Sequence, residues 1–120
     1  MRVIGPRIHG YIDVAMVVIF ALAPLVVGLG GPPALISWGL ALIHLILVLI
    51  TRFPMGVAKQ IPFYVHGLVE LVVAVFLAVL PRIGGYAPGS PARRFYWTMA
   101  IILAVVWLLT DYRGGEAETA

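Results

Sequence analysis

Four long apolar runs, separated by short segments rich in Gly and Pro, constrain this chain more than any other feature. The runs cover residues 8–29, 34–50, 63–80 and 95–109. A helix needs roughly 20 mostly apolar residues to cross a hydrocarbon core of about 30 Å, and each run approaches that length. We therefore predict an all-α fold, a polytopic membrane four-helix bundle that forms a single domain.

The composition excludes several other classes of protein. Hydrophobic residues make up 62% of the chain and charged residues 11%, which is too little charge to cover the surface of a soluble domain. The net charge of +3 comes from basic residues that flank the apolar runs, so no nucleic-acid partner is predicted. Cys is absent, which excludes thiolate ligands. No nucleotide-binding loop, nucleophile elbow or zincin helix occurs, so the motifs do not favour an enzyme.

The basic residues indicate how the helices lie in the membrane. More of them flank the end that carries the N-terminus than the other end, which favours a cell (inner) membrane protein with both termini in the cytoplasm. The predicted partners are the lipid bilayer and, beyond it, other membrane subunits or further copies in a homo-oligomer. The two groups of basic residues are Arg2, Arg7, Arg52, Lys59 and Arg113 against Arg82, Arg93 and Arg94.

The sequence contains an internal repeat. Residues 8–13, Ile-His-Gly-Tyr-Ile-Asp, match residues 65–70, Val-His-Gly-Leu-Val-Glu, at an offset of 57, and Trp38 matches Trp97 at an offset of 59. Each copy contains two of the four apolar runs. The pattern therefore predicts two similar helical hairpins in series.

The predicted units are repeat 1 at residues 6–53 and repeat 2 at residues 62–112, followed by a short polar tail at residues 113–120. Each hairpin crosses the membrane twice, so both repeats point the same way. The expected symmetry is a pseudo-twofold axis along the membrane normal.

Each helix pair has a His near its start, a carboxylate four residues later and a Pro late in its first helix. The connector at residues 51–66 contains the sequence Thr-Arg-Phe-Pro-Met-Gly and ends on the second His. In these features the chain resembles the SPW repeat family of small bacterial and archaeal membrane proteins. At the tripeptide that names the family, residues 23–25 and 80–82 keep only Pro. The resemblance covers nearly the whole chain and implies a four-helix membrane protein without an assigned activity.

His9 with Asp13, and His66 with Glu70, form the strongest candidate site. Residues at i and i+4 share a helical face, so each pair can touch, and the predicted axis places the two pairs opposite each other. Two imidazoles and two carboxylates suit zinc, iron or manganese. One interpretation is therefore a metal or proton site near the cytoplasmic face. The other is structural, with each carboxylate orienting its own His.

His44 lies inside the second apolar run and has no counterpart in repeat 2. It falls on a small and polar stripe that is predicted to face the bundle interior. The functional interpretations are a haem ligand, a quinone contact or a proton relay, and the alternative is a hydrogen bond to a neighbouring helix. The stripe consists of Ser37, Ala41, His44, Val48 and Thr51.

Four further residues are assigned structural roles. Pro24 and Pro81 come late in the first helix of each repeat and are expected to end or kink it. Arg52 and Asp111 occupy equivalent positions with opposite charge, so they could pair at the membrane surface.

Three functions follow from these features. Small size, short loops and sparse chemistry favour an accessory or scaffolding subunit that packs against membrane partners or itself. The alternative is metal, cofactor or proton handling by the paired His and carboxylate residues, with no particular cofactor indicated. A further alternative is a small transporter or channel that works as an oligomer.

Overall fold

The computed structural model describes residues 2–113, and within this range the fold is all-helical. Its helices are α1 (Pro6–Val26), α2 (Gly31–Ile50), α3 (Phe63–Ile83) and α4 (Pro91–Leu109). All four are long and apolar enough to cross a membrane, which confirms the predicted all-α fold with four helices of membrane-spanning length. Residues 114–120 of the predicted polar tail lie outside the described residues.

The helices pack as two hairpins, α1 on α2 and α3 on α4. The turns at residues 27–30 and 84–90 define what we call the hairpin end of the bundle. The opposite N-terminal end holds the starts of α1 and α3 and the ends of α2 and α4. There Ile4 forms a short parallel bridge with Thr110, and Ile61 forms one with Thr51.

Large apolar side chains cover much of the outside of the bundle, while eight polar ones in the described range are buried within the apolar core. Only 33–39% of the residues in each span are buried, and large residues such as Leu25, Val72 and Ile101 are exposed. Water would disfavour such a surface, whereas lipid tails are as apolar as the side chains themselves. The buried polar residues are His9, Asp13, Ser37, His44, Thr51, His66, Glu70 and Thr110.

Pro24 and Pro81 lie within helices instead of ending them. α1 continues past Pro24 to Val26, and α3 continues past Pro81 to Ile83. The alternative in which these residues end their helices is therefore wrong, and the alternative in which they kink them stays a prediction. Each Pro lacks the N–H that would bond the carbonyl four residues earlier, so these stretches of helix need donors from elsewhere.

For α1 those donors come from α2. Pro24 leaves the carbonyl of Phe20 without its helical partner, and the hydroxyl of Ser37 donates to that oxygen at 2.6 Å. The indole Nε1 of Trp38 donates to the next carbonyl, that of Ala21, at 3.1 Å. A Pro within a membrane helix is tolerated when a neighbouring helix supplies such bonds.

The second hairpin contains one of the same bonds. Trp97 Nε1 donates to the carbonyl of Ala78 at 3.0 Å, and Ala78 precedes Pro81 by three residues. The two Trp residues that the repeat aligned therefore make the same contact in their own hairpins.

Gly56 lies where the connector between the hairpins turns back over the end of α2. Its N–H donates to the carbonyl of Phe53 at 2.9 Å. A Cβ at this position would overlap the backbone carbonyl oxygen of Thr51. The connector can therefore approach α2 this closely only with Gly at this position.

Replacement of Gly56 by Ala should lower the free energy of unfolding by about 1–3 kcal/mol, the usual cost of overpacking. The midpoint of thermal unfolding in mild detergent should fall accordingly. Gly39→Ala is the control, because an added Cβ on this α2 residue meets nothing within 4 Å and Ala favours helix. Equal midpoints for the two variants would contradict the prediction.

Candidate metal centre

Four ionisable side chains meet inside the N-terminal end of the bundle, and we call them the tetrad. His9 and Asp13 come from α1, and His66 and Glu70 come from α3. Each is at most 1% exposed. One nitrogen or carboxylate oxygen from each side chain lies within 4.8 Å of the corresponding atoms of the other three. The structure thus brings together all four residues that the sequence indicated.

The Nε2 atom of each His contacts carboxylate oxygens from both helices. His9 Nε2 lies 2.7 Å from Glu70 Oε1 and 3.2 Å from Asp13 Oδ2. His66 Nε2 lies 2.6 Å from Glu70 Oε1 and 2.9 Å from Asp13 Oδ2. Nitrogen and oxygen therefore alternate around a ring of four contacts. In the structural interpretation each carboxylate orients its own His; His66 does lie closest to Glu70, but His9 lies closer to the carboxylate of the other hairpin.

Two Thr residues hold the far side of the imidazoles. Thr110 Oγ1 lies 2.9 Å from His9 Nδ1, and Thr51 Oγ1 lies 2.7 Å from His66 Nδ1. Each Thr hydroxyl donates its one proton to the carbonyl four residues earlier in the chain. A hydroxyl that already donates can only accept a further bond. Both Nδ1 atoms therefore carry a hydrogen and donate it to Thr.

This arrangement determines what the Nε2 atoms present to the carboxylates. In a neutral imidazole with hydrogen on Nδ1, Nε2 carries a lone pair. Lone pairs of His9 and His66 would then face the lone pairs of two carboxylates, in a site without water exposure. Uncompensated charge is costly there. Two additional protons or one divalent cation would make the tetrad neutral.

The geometry of the four contacts helps to decide whether protons or a divalent cation compensate the charge of the two carboxylates. The contact between His9 Nε2 and Glu70 Oε1 meets hydrogen-bond geometry. Asp13 Oδ2 and His66 Nε2 make no hydrogen bond with any residue in the described range, although they lie 2.9 Å apart. The contacts of His66 Nε2 and Asp13 Oδ2 are therefore short without having hydrogen-bond geometry.

The size of the ring suits a metal ion. Its four sides measure 2.6, 2.7, 2.9 and 3.2 Å. A tetrahedral ion with bonds of about 2.0 Å, the distance at which zinc binds nitrogen and oxygen, separates its ligand atoms by about 3.3 Å. The tetrad can thus surround one ion once side-chain adjustments lengthen these contacts, by about 0.1 Å for the longest and about 0.7 Å for the shortest.

Three aromatic residues cover the tetrad on the side of the N-terminal end. The ring of Phe63 lies 5.1 Å from that of His9 and 5.5 Å from that of His66. Tyr112 packs 5.4 Å from His9, and Phe53 packs 5.3 Å from His66. These rings are buried, so they limit water access and lower the local dielectric constant.

Two glycines allow this cover to form. Gly67 follows His66, and a Cβ there would press against the ring of Tyr112. At Gly10 a Cβ would overlap the side chain of Met55.

Burial raises the pKa of Tyr112, and the charges of the nearby carboxylates raise it further. Its hydroxyl therefore stays protonated above the tetrad.

His44 lies apart from the tetrad, in the apolar part of the core. Its Nδ1 donates to the carbonyl of Leu40 at 3.1 Å, and its ring packs 5.5 Å from that of Phe20. The hydrogen bond thus runs within α2, whereas the alternative to the functional interpretations places it on a neighbouring helix. Nε2 is buried and has no hydrogen-bond partner within residues 2–113. The haem, quinone and proton-relay assignments stay predictions.

Arg52 and Asp111 lie just beyond the ends of α2 and α4. The guanidinium of Arg52 reaches the carbonyl of Gln60 at 3.5 Å, and the backbone N–H of Asp111 donates to Ile4 at 2.9 Å. Their predicted pairing stays a prediction.

Sequence reasoning missed the role of the two Thr residues. Thr51 was placed on the inward stripe, and Thr110 matches it at an offset of 59. This match could have indicated their role. A Thr that recurs just after α2 and just after α4 suggests that both hydroxyls bind the same type of side chain.

Comparison with known proteins gave no match: no protein-family model, no curated protein and no solved structure is similar to this chain at a significant level. The conclusions about function therefore rest on the tetrad and its surroundings.

Proposed function

We propose that this chain is a membrane protein that binds one divalent transition-metal ion in the tetrad. The observation that carries the proposal is the convergence of two Nε2 atoms and two carboxylate oxygens that largely lack hydrogen-bond geometry towards one another. A divalent ion would accept all four lone pairs and balance both carboxylate charges. Imidazole and carboxylate ligands without sulfur suit zinc, iron(II) or manganese.

The ion serves as a structural link between the hairpins. Four protein ligands would leave no coordination position for substrate, which is typical of structural zinc sites and not of catalytic ones. Each hairpin supplies two of the ligands, so the ion holds the N-terminal end together. This role supports the accessory or scaffolding function that the sequence predicts. In that function the chain packs against membrane partners or against further copies of itself.

The two hairpins are tandem repeats related by a pseudo-twofold axis along the membrane normal. The exchange of partners supports this: the His of each hairpin bonds the Thr of the other, as His9 does with Thr110 and His66 with Thr51. Membership of the SPW repeat family accounts for the same duplication. The bias of basic residues supports an inner-membrane location with both termini in the cytoplasm.

A second candidate function is proton handling by the same four residues. Glu70 Oε1 lies 2.7 Å from His9 Nε2 in hydrogen-bond geometry, a length typical of charge-assisted hydrogen bonds. A tetrad with a second proton on each imidazole would be neutral without a metal. Metal analysis separates the two candidates, and uptake assays in proteoliposomes would address the predicted transport role.

The metal content of the purified protein tests the proposal directly. Protein prepared in mild detergent without chelators should contain about one zinc, iron or manganese ion per chain. Addition of the preferred ion to stripped protein should raise the unfolding midpoint, because a ligand that binds only the folded state stabilises it. His9→Ala and His66→Ala should each abolish stoichiometric binding.

His44→Gln is the matched control for these variants, since it removes a buried His that lies outside the tetrad. It should keep the metal content of the wild type. Wild-type protein that holds no ion, and whose unfolding midpoint does not respond to zinc, iron(II) or manganese, would refute the metal proposal and favour the proton-bearing tetrad.

Loss of a Thr hydroxyl should weaken metal binding without removing a ligand. Thr51→Val and Thr110→Val each leave an imidazole without its Nδ1 acceptor, and loss of such an outer partner typically costs 10–100-fold in metal affinity. Thr51→Ser keeps the hydroxyl and should retain affinity close to that of the wild type. The measurement is a competition titration against a metal indicator dye.

Thr98→Val provides the baseline for this comparison, because Thr98 is exposed on α4 and should not affect the site. If Thr51→Val and Thr98→Val bind the ion equally well, the hydroxyls do not position the imidazoles and the tautomer argument fails.

A further inference from the structure

A groove between α1 and α4 opens onto the lipid-facing surface near the hairpin end. Its inner part, a cavity of about 220 Å³, is lined entirely by apolar side chains, including Leu22 and Ala23 of α1 and Phe95 of α4. A second cavity of about 310 Å³ adjoins it, since both are lined by Val27 and Phe95. The apolar groove therefore continues into a space at the start of α4.

The second cavity differs from the first because polar groups line it. Arg94 and Thr98 of α4 contribute to its wall. Among the described residues, the guanidinium of Arg94 has no ion pair or hydrogen bond, whereas that of Arg93 lies 4.3 Å from the ring centre of Trp97 and contacts the carbonyl of Tyr86 at 3.4 Å. Arg94 is thus the cation available to a ligand in the groove.

The charge at this end of the bundle is of one sign. Arg82, Arg93 and Arg94 lie at the hairpin end, and every acidic residue in the described part of the chain lies towards the N-terminal end. The first turn of α4 adds the positive end of a helix dipole. A ligand that fits the whole groove must therefore combine an apolar chain with an anionic group.

We propose that this groove binds one anionic phospholipid, independently of the metal centre. An acyl chain lies along α1, where the stretch from Val18 to Val27 provides about 14 Å of apolar wall at the rise of an α-helix. The phosphate contacts Arg94 and Thr98 at the membrane interface. The apolar wall supplies contact with the chain, and Arg94 supplies the preference for negative charge.

Lipid titration of the delipidated full chain, followed by native mass spectrometry, tests this site. Phosphatidylglycerol should bind about fivefold tighter than phosphatidylcholine of the same chain length, as expected for one favourable basic contact. Arg94→Gln should remove this preference, and Arg94→Lys should keep it. Leu22→Trp fills the groove and should weaken the binding of both lipids.

Two control variants separate the groove from general effects of charge and bulk. Arg82→Gln removes a charge at the same end, and Leu25→Trp adds bulk at a position of α1 that is 79% exposed and does not line the groove. Both should bind lipid as the wild type does. The proposal is overturned if the wild type binds the two lipids equally, or if Arg82→Gln loses the preference as fully as Arg94→Gln.

Inorganic phosphate distinguishes a lipid site from a plain anion site. Phosphate at millimolar concentration should not displace the lipid, because most of the contact is with the acyl chain. Displacement by phosphate, together with normal lipid binding by Leu22→Trp, would show an anion site and contradict the proposal.

Discussion

Two carboxylates in the apolar interior determine the layout of the N-terminal end of the bundle. An ionisable residue deep in a membrane span costs about 2.5–3.5 kcal/mol on insertion scales, so Asp13 and Glu70 cannot face lipid. They lie against His9 and His66 instead, and each imidazole is in turn held by a Thr hydroxyl. Aromatic rings then close the site. The carboxylates need the imidazoles and the imidazoles need the Thr hydroxyls, because lipid supplies no hydrogen-bonding groups of its own.

The same constraint acts on the backbone at the other end. Lipid offers no donor to the carbonyl that Pro24 leaves free, and α2 supplies one. Ser37 donates to this carbonyl, that of Phe20, and Trp38 donates to the next one, that of Ala21, so both bonds lie at one depth. They therefore fix the register of α1 against α2. The position of His44, seven residues after Ser37, follows from that register.

Much of the fold could be predicted because the determining features are local or compositional. The length of each apolar run predicts a span, and the spacing of His9 and Asp13 predicts one shared helical face. The exchange of partners between hairpins could not be predicted from local spacing, because the distance from His9 to Glu70 depends on how α1 crosses α3. The expectation that Pro24 could end α1 failed for a related reason. The rule that Pro ends a helix considers one helix alone and ignores hydrogen-bond donors on the neighbouring helix. The Thr hydroxyls were recognisable as inward-facing, but their partners again lie across helices.

The exchange of partners between hairpins has a consequence for biogenesis. The ribosome delivers α1 and α2 before α3 and α4, so for a time Asp13 has no second imidazole beside it and His9 has no hydroxyl behind it. A lone first hairpin would then hold a poorly compensated charge in hydrocarbon, and it would be driven to stay near the headgroups or beside the insertion machinery. We therefore expect the polar groups of the early half to become fully compensated only when the late half has joined it.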